Sequence, residues 1–301
     1  MKRSILRIQT KERSDPVNYR TDLAMEAQAI SGGSKQGIIS ETEISNGLKI
    51  SRMHIISEEA AGRLGKPAGR YVTIEGLPET DNFREVRKEI EAISRELEQL
   101  LPKKGCILVI GIGNTEITPD ALGPESAASV IATRHIGGEL AKSAGLDKLR
   151  PVAVLSPGVL GQTGIEVGEI ITSLAAKLRP AAVIAIDALA SRSLSHLGRT
   201  IQLSDSGIAP GSGIGNHRLC LNERSLGIPV IGMGMPTVVD ALTLAKDIAG
   251  TDELPFIGSR LIVTPKEIDI LNRRASKLIG MAVNCALQKQ YDFDELACLV
   301  A

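Results

Sequence analysis

The chain has 301 residues, 43% of them hydrophobic, enough to bury a large core in one big α/β domain or two smaller ones. Its 35 basic residues balance 35 acidic ones, so net charge supplies no pull toward nucleic acid or an anionic membrane. With three Tyr, three Phe and no Trp it lacks the exposed rings of a base-stacking platform.

The first 22 residues carry many charges and no hydrophobic periodicity, and are expected to form a loose leader rather than a secretory signal. No window approaches the ~18 uninterrupted apolar residues of a membrane helix, and the expectation is a soluble, cytoplasmic protein. Alternating apolar residues predict strands from Ile44 to Ile56 and from Tyr71 to Ile74, separated by the link GRLGKPAGR. Phe83, Val86, Ile90, Ile93, Leu97 and Leu100 recur at steps of three and four and predict an amphipathic helix.

After Pro102 the pattern becomes strand, loop, helix, repeated. Strands are predicted at Ile107–Ile112, Val152–Leu155, Val183–Ile186, Val230–Gly234 and Leu261–Val263. Helices are predicted at about Ser126–Ile136, Ile165–Leu178, Val238–Ile248 and Pro265–Gln288, the last opened by an N-cap Thr264, a first-turn Pro265 and a capping-box Glu267. Continuous apolar strands alternating with helices imply a mostly parallel sheet covered on both faces. The expected fold is a three-layer α/β/α domain with additional N-terminal strands and a helix.

Three aspartates share one local design. Asp120, Asp187 and Asp240 each precede an Ala-Leu pair near the end of an apolar run. In an open parallel sheet, ligands bind beyond the carboxyl ends of the strands, so Asp120 and Asp187 can share a crevice. Two neighbouring carboxylates do not ionise together easily; one keeps its proton, which supplies an acid and a base at neutral pH. Such a pair suits amide hydrolysis. The competing reading is that each carboxylate caps the helix after it; the pattern alone favours capping for Asp120 and Asp187 too, and Asp240 is read as structural.

Other signals are weaker. GIGN after a strand begins like a dinucleotide fingerprint, but Glu116 stands where the third glycine belongs. Asp205-Ser206-Gly207 is the tripeptide of pepsin-like proteases, which are all-β, so here a Gly-rich loop is the better account; its backbone N–H groups at Gly211 and Gly213 could line a cleft. His54, His135, His196 and His217 are scattered, and each is expected to be structural or solvated, although one of them with Asp120 and Asp187 could bind a metal. Cys106, Cys220, Cys285 and Cys298 show no metal or disulfide spacing, and Cys106 and Cys285 are expected as buried thiols.

Taken in order, RTDLAMEA, GRYVTIEG, GIGNTEITPDALGP, RPVAVLSPGVLGQTGIE, VIAIDALASR, SDSGIAPGSGIGN, PVIGMGMPTVVDA and LIVTPKEID closely resemble the germination protease family of spore-forming bacteria, over nearly the whole chain. The resemblance implies an endopeptidase that degrades small acid-soluble spore proteins in the germinating spore, and a zymogen made in the forespore. It implies a homotetramer and a core similar to the hydrogenase-maturation endopeptidases. The family's two catalytic aspartates fall on Asp120 and Asp187; Asn114, Gly211, Gly213 and Asp240 are further cleft candidates. RTDLAMEA is similar to the family's cleavage sequence, so the chain is expected to cut itself between Asp22 and Leu23, leaving residues 1–22 as propeptide and 23–301 as one peptidase domain. Neither a cofactor nor a metal is expected, and neither nucleic acid nor membrane is an expected partner; a metal-dependent peptidase using the same aspartates as ligands is the alternative. One departure is the short TDELPFIGS connection, where many members carry a long insertion.

Overall fold

Among the described residues, nine strands pair into one sheet. The structure is a computed structural model and describes residues 21–250, apart from 79, 81, 144 and 210–219, and residues 261–300. In chain order, α1 (Ala24–Ile30) leads into β1 (Ile38–Ser45), β2 (Leu48–Ile55), α2 (Glu58–Leu64), β3 (Gly69–Glu75) and α3 (Arg87–Leu100). Then come β4 (Ile107–Gly111), a 3₁₀ turn (Thr118–Asp120), α4 (Leu122–Ala128), α5 (Gly138–Ser143), β5 (Val152–Leu155), α6 (Leu160–Thr163), α7 (Val167–Leu178) and β6 (Ala182–Ser191). A second 3₁₀ turn (Leu194–His196), β7 (Thr200–Ser204), α8 (Glu223–Leu226), β8 (Val230–Asp240), α9 (Ala241–Ala249), β9 (Ile262–Val263), α10 (Ile268–Leu287) and α11 (Phe293–Val300) complete it.

Across the sheet the order is β1-β2-β3-β7-β8-β6-β4-β5, with β9 on β8, and its centre, β5-β4-β6-β8, is parallel. Its strands are apolar on both sides because both faces are covered. Ile107 and Val109 pack with Ile93 and Leu97 of α3 and Ile279 and Val283 of α10. Leu108 and Ile110 face the other way, against Val167 and Ile171 of α7. That second face carries two separate apolar clusters: the one under α7, and one under α1 and α2 that contains Met53, Ile55 and Tyr71. The expected α/β/α layering and mostly parallel centre are therefore present.

Several local expectations change. The predicted strand from Ile44 to Ile56 is a hairpin, folded at Asn46 and Gly47, whose φ values of 52° and 83° are those a two-residue turn between twisted strands requires. GRLG does not link strands: it closes α2, which Ser57 caps by accepting from the Ala60 N–H at 3.1 Å, and which Gly65 ends in the left-handed region. β7 has no counterpart among the predicted strands; it is antiparallel to both neighbours and joins the hairpin side to the parallel side. β8 continues as strand to Asp240, so Val238 and Val239 are not helical. A register shift sets Leu189 opposite Pro236 and Ala190 opposite Val238, which leaves Thr237 as the extra residue beside a proline that has no N–H to give. Thr264 is not the cap of α10, whose N-cap is Glu267; its hydroxyl donates to the Thr237 carbonyl at 2.8 Å instead. Cys106 and Cys285 are half-buried, while Cys220 and Cys298 are exposed.

Candidate active site

The side of the sheet that α7 covers is also the side on which Asp187 stands. Along β6, Val183 and Ala185 pack under α7 whereas Ile184 and Ile186 face α3 and α10. Side chains alternate along a strand, so Asp187 continues the Val183–Ala185 row. It is 4% exposed and accepts the Ala188 N–H at 2.8 Å. On the neighbouring β8 the same row is Val230, Gly232, Gly234. A β-carbon on Gly234 would lie 2.3 Å from the Asp187 carbonyl oxygen, and one on Gly232 would lie 2.6 Å from that of Gly207. These two glycines let the Gly207 backbone and the Leu189 side chain lie close on β8, between the α7 cluster and the α1–α2 cluster. Beside them is a cavity of about 660 Å³ onto which Asp187, Gln202, Tyr71, Lys66 and Asp22 all face.

Asp120 reaches the same end of the sheet by another route. It closes the 3₁₀ turn that follows β4, with its N–H donated to the Ile117 carbonyl at 2.7 Å and its carboxylate accepting the Asn114 N–H at 2.9 Å. Gly113, at φ 136°, makes this fold possible, since a β-carbon there would stand 1.9 Å from the Asp120 carbonyl oxygen. Gly123 seats the first turn of α4 on the strand ends, where any β-carbon would meet the carbonyls of Ile112 and Ile186 at 2.1 and 2.5 Å. The Asp120 turn thus packs against β6 and β8, the strand of Asp187 and its neighbour. Asn114 accepts from Gln162 at 2.6 Å and from the Glu116 N–H at 2.9 Å, which ties this loop to α6.

Neither aspartate caps a helix. Asp187 lies inside a strand, and the N-cap of α4 is Ala121. Asp240 does cap: its Oδ1 accepts the Thr243 N–H at 3.0 Å and the Thr243 hydroxyl at 3.1 Å. Asp205 of the pepsin-like tripeptide is paired with Arg70, by backbone and side chain at 2.7 and 2.6 Å. Gly211, Gly213 and His217 lie outside the described residues. No three His, Cys, Asp or Glu gather as a metal-binding set among the described residues.

What the sequence did not reveal is how tightly residues 21–26 are held. Asp22 pairs with the end of β6, its N–H donating to the Ala190 carbonyl and its carboxylate accepting the Ala190 N–H, both at 2.8 Å. Leu23 is fully buried. Gln202 on β7 bridges the stretch: its amide donates to the Asp22 carbonyl at 2.9 Å and accepts the Ala24 N–H at 2.7 Å. Lys66 donates to the Thr21 carbonyl at 2.9 Å; burial pulls its ammonium below the ordinary lysine range, and the charges of Asp22 and Glu26 oppose that.

Glu26 is the anchor. Its carboxylate accepts the N–H groups of Arg192 and Ser193 at 2.6 and 3.0 Å, bonds His196 Nδ1 at 2.6 Å, and accepts the Thr21 hydroxyl. Burial alone would raise its pKa, but the hydrogen bonds from His196, Thr21, Arg192 and Ser193 outweigh burial and hold it below the ordinary value. His196 is raised, first by its hydrogen bond to Glu26, and its Nε2 also lies 3.3 Å from Glu75. Of this network, a polar Gln202 between Ile201 and Leu203 was the visible hint of a strand with one polar face.

Comparison with known proteins agrees with the motif resemblance. The family model described as germination protease matches residues 20–252. The germination protease of Clostridium perfringens is 40% identical over 321 residues, covering 93% of this chain and 98% of that protein. That of Caldanaerobacter subterraneus is 41% identical, covering 90% and 95%. That of Priestia megaterium is 43% identical over 246 residues, covering 76% and 66%. Among solved structures, the [NiFe] hydrogenase maturation protease HycI of Thermococcus kodakarensis is similar with a TM-score of 0.38 and 20% identity, over 64% of this chain and 98% of that one.

Proposed function

Given that the chain belongs to the germination protease family, and is on that ground a peptidase, we propose that it starts the degradation of small acid-soluble spore proteins through an acid–base pair of Asp120 and Asp187. One carboxylate takes a proton from water as the water adds to the peptide carbonyl. The other, still protonated, delivers its proton to the leaving nitrogen. The cavity beside Asp187 receives an extended peptide, and Asn114 holds the Asp120 loop in place by its backbone bond.

The chain is made as a zymogen and cuts itself between Asp22 and Leu23, separating a 1–22 propeptide from a 23–301 peptidase domain. One observation carries this reading: Asp22, the residue before the bond, faces the same cavity as Asp187 and is paired to the strand that bears it. The working form is a homotetramer in the spore core. No cofactor is required.

The test is direct. The purified chain should cleave a small acid-soluble spore protein after exhaustive chelation, and on prolonged incubation should acquire Leu23 as its N-terminus. Asp22→Lys should stay uncut and inactive. Loss of activity on chelation would replace the aspartate pair with a metal centre, and a mature terminus far from Leu23 would refute self-processing at this bond.

A further inference from the structure

Three adjacent strands bring Gln202, Gly234 and Asp187 into one row. Gly234 of β8 is the register partner both of Gln202 on β7 and of Asp187 on β6. Register partners point to the same face, and strands lie about 4.8 Å apart, so Gln202 and Asp187 stand roughly 10 Å apart on that face, with the Leu189 side chain against Gly234 between them. Ile201 and Leu203 pack on the opposite face with α3 and α10, which turns Gln202 toward the cavity. From that face the amide of Gln202 donates to the Asp22 carbonyl at 2.9 Å and accepts the Ala24 N–H at 2.7 Å. It therefore spans Leu23 and touches the carbonyl of the Asp22–Leu23 bond itself.

We propose that Gln202 is a catalytic residue of self-cleavage: its Nε2–H holds the carbonyl oxygen of Asp22 and stabilises the negative charge that develops there. This rests on the reading that the bond is cut and that Asp187 belongs to the site. When water's oxygen adds to the Asp22 carbonyl carbon, the C=O π electrons move onto the carbonyl oxygen. That oxyanion remains within reach of the Gln202 donor. On collapse the C–N bond to Leu23 breaks, the nitrogen gains a proton from the acid member of the pair, and Asp22 leaves as a free carboxylate bearing the water oxygen. A donor aimed at this oxygen in a dry site is worth about 10²–10³ in rate. The second contact, to the Ala24 N–H, fixes the strand so that the oxygen cannot swing away.

Gln202→Glu separates these contacts, because it keeps an acceptor for the Ala24 N–H and removes the donor. With the full-length chain, N-terminal shortening should slow by about 10²–10³-fold, while the Ala24 amide stays protected from hydrogen exchange. The deficit relative to the parent chain should shrink as pH falls, since the introduced carboxyl group regains an O–H donor when it is protonated. A purely structural tether moves neither the rate at constant protection nor the pH profile. If Gln202→Glu does not fold, the similarly sized Gln202→Met should fold and be slow as well. Parent-like shortening in either folded variant overturns the proposal. Asp187→Asn, run beside them, tells the two ideas apart: parent-like shortening there removes the site itself, whereas an inert Asp187→Asn with a fast Gln202→Glu removes only the role of Gln202. A parent chain that never shortens at Leu23 removes both.

Discussion

Asp187-Ala188-Leu189 and Asp240-Ala241-Leu242 are the same tripeptide, one inside β6 and the other at the end of neighbouring β8, yet they do different things. At Asp240 the strand stops, the chain turns into α9, and the carboxylate is taken up by Thr243. At Asp187 the strand runs on to Ser191, no helix follows directly, and the residue lines a cavity together with Gly232 and Gly234 of β8. The difference teaches that the same Asp-Ala-Leu letters cap a helix where the strand ends and line a cavity where the strand runs on. Asp120 is a third case, held in a turn by a backbone N–H and pressed onto the strand of Asp187.

The sharpest way to break this comparison is Asp187→Asn or Asp120→Asn. Each should lower cleavage by about 10² to 10⁴-fold or more, because an amide can neither take up nor deliver the proton. Circular dichroism and oligomeric state should be unchanged. Near-parent turnover in either folded variant would end the acid–base pair.

Among the described residues, the segment beside the cavity at Asp187 has no counterpart at Asp240, and its anchor can be removed. Glu26→Ala leaves His196 and two backbone N–H groups without their buried partner, with an expected loss of about 3 kcal/mol in unfolding free energy. The same network gives a pH signature. Glu26 is held below its ordinary pKa, so its contribution is complete above the ordinary glutamate range and disappears as pH falls through the depressed value. His196 is held above its ordinary pKa, so its contribution is complete below about 6.5 and disappears as pH rises through the raised value. The network is therefore strongest from about pH 4.3 to 6.5. Thermal unfolding of His196→Asn should lose the alkaline part of that dependence, and an identical profile in the variant would refute the assignment.

A smaller effect is expected at Gly234. In Gly234→Ala the new β-carbon must displace the Asp187 carbonyl oxygen, now 2.3 Å from its ideal position, or the side chain of Leu189 at 2.8 Å. Overpacking of this kind costs about 1–3 kcal/mol, and cleavage should fall further than stability because the shift passes directly into Asp187. Unaltered unfolding and cleavage together would show that this close packing can yield.

Asp240→Ala should do least. Loss of an N-cap costs about 0.5–2 kcal/mol, visible as a lower melting temperature with cleavage retained. Complete inactivity at parent-like stability would mean that Asp240 belongs to the site after all.

Much of this was legible along the chain. The continuous apolar runs at Ile107 and Val183 announced buried parallel strands, and Ile90, Ile93 and Leu97 announced the face of α3. These signals are local, because burial on both faces demands apolar residues at every position and a helix face repeats every three or four. The motif order announced the family, and with it attention to Asp120, Asp187 and the Asp22–Leu23 bond. By contrast, the same Asp-Ala-Leu letters could not say which aspartate caps and which faces a cavity. That depends on whether β6 continues, which is decided by its pairing with β8, since the β4 ladder ends at Ile186 and Asp22 takes up Ala190 beyond it. Gln202 and Asp187 are 15 residues apart and Gly234 is 32 further on, so only sheet pairing could set them in one row. Glu26 finds His196 and the Arg192 and Ser193 N–H groups from more than 160 residues away. Sequence by itself determined the layers, since each element must bury its own apolar face; tertiary structure decided the site, since partners distant in the chain meet only once those layers have closed.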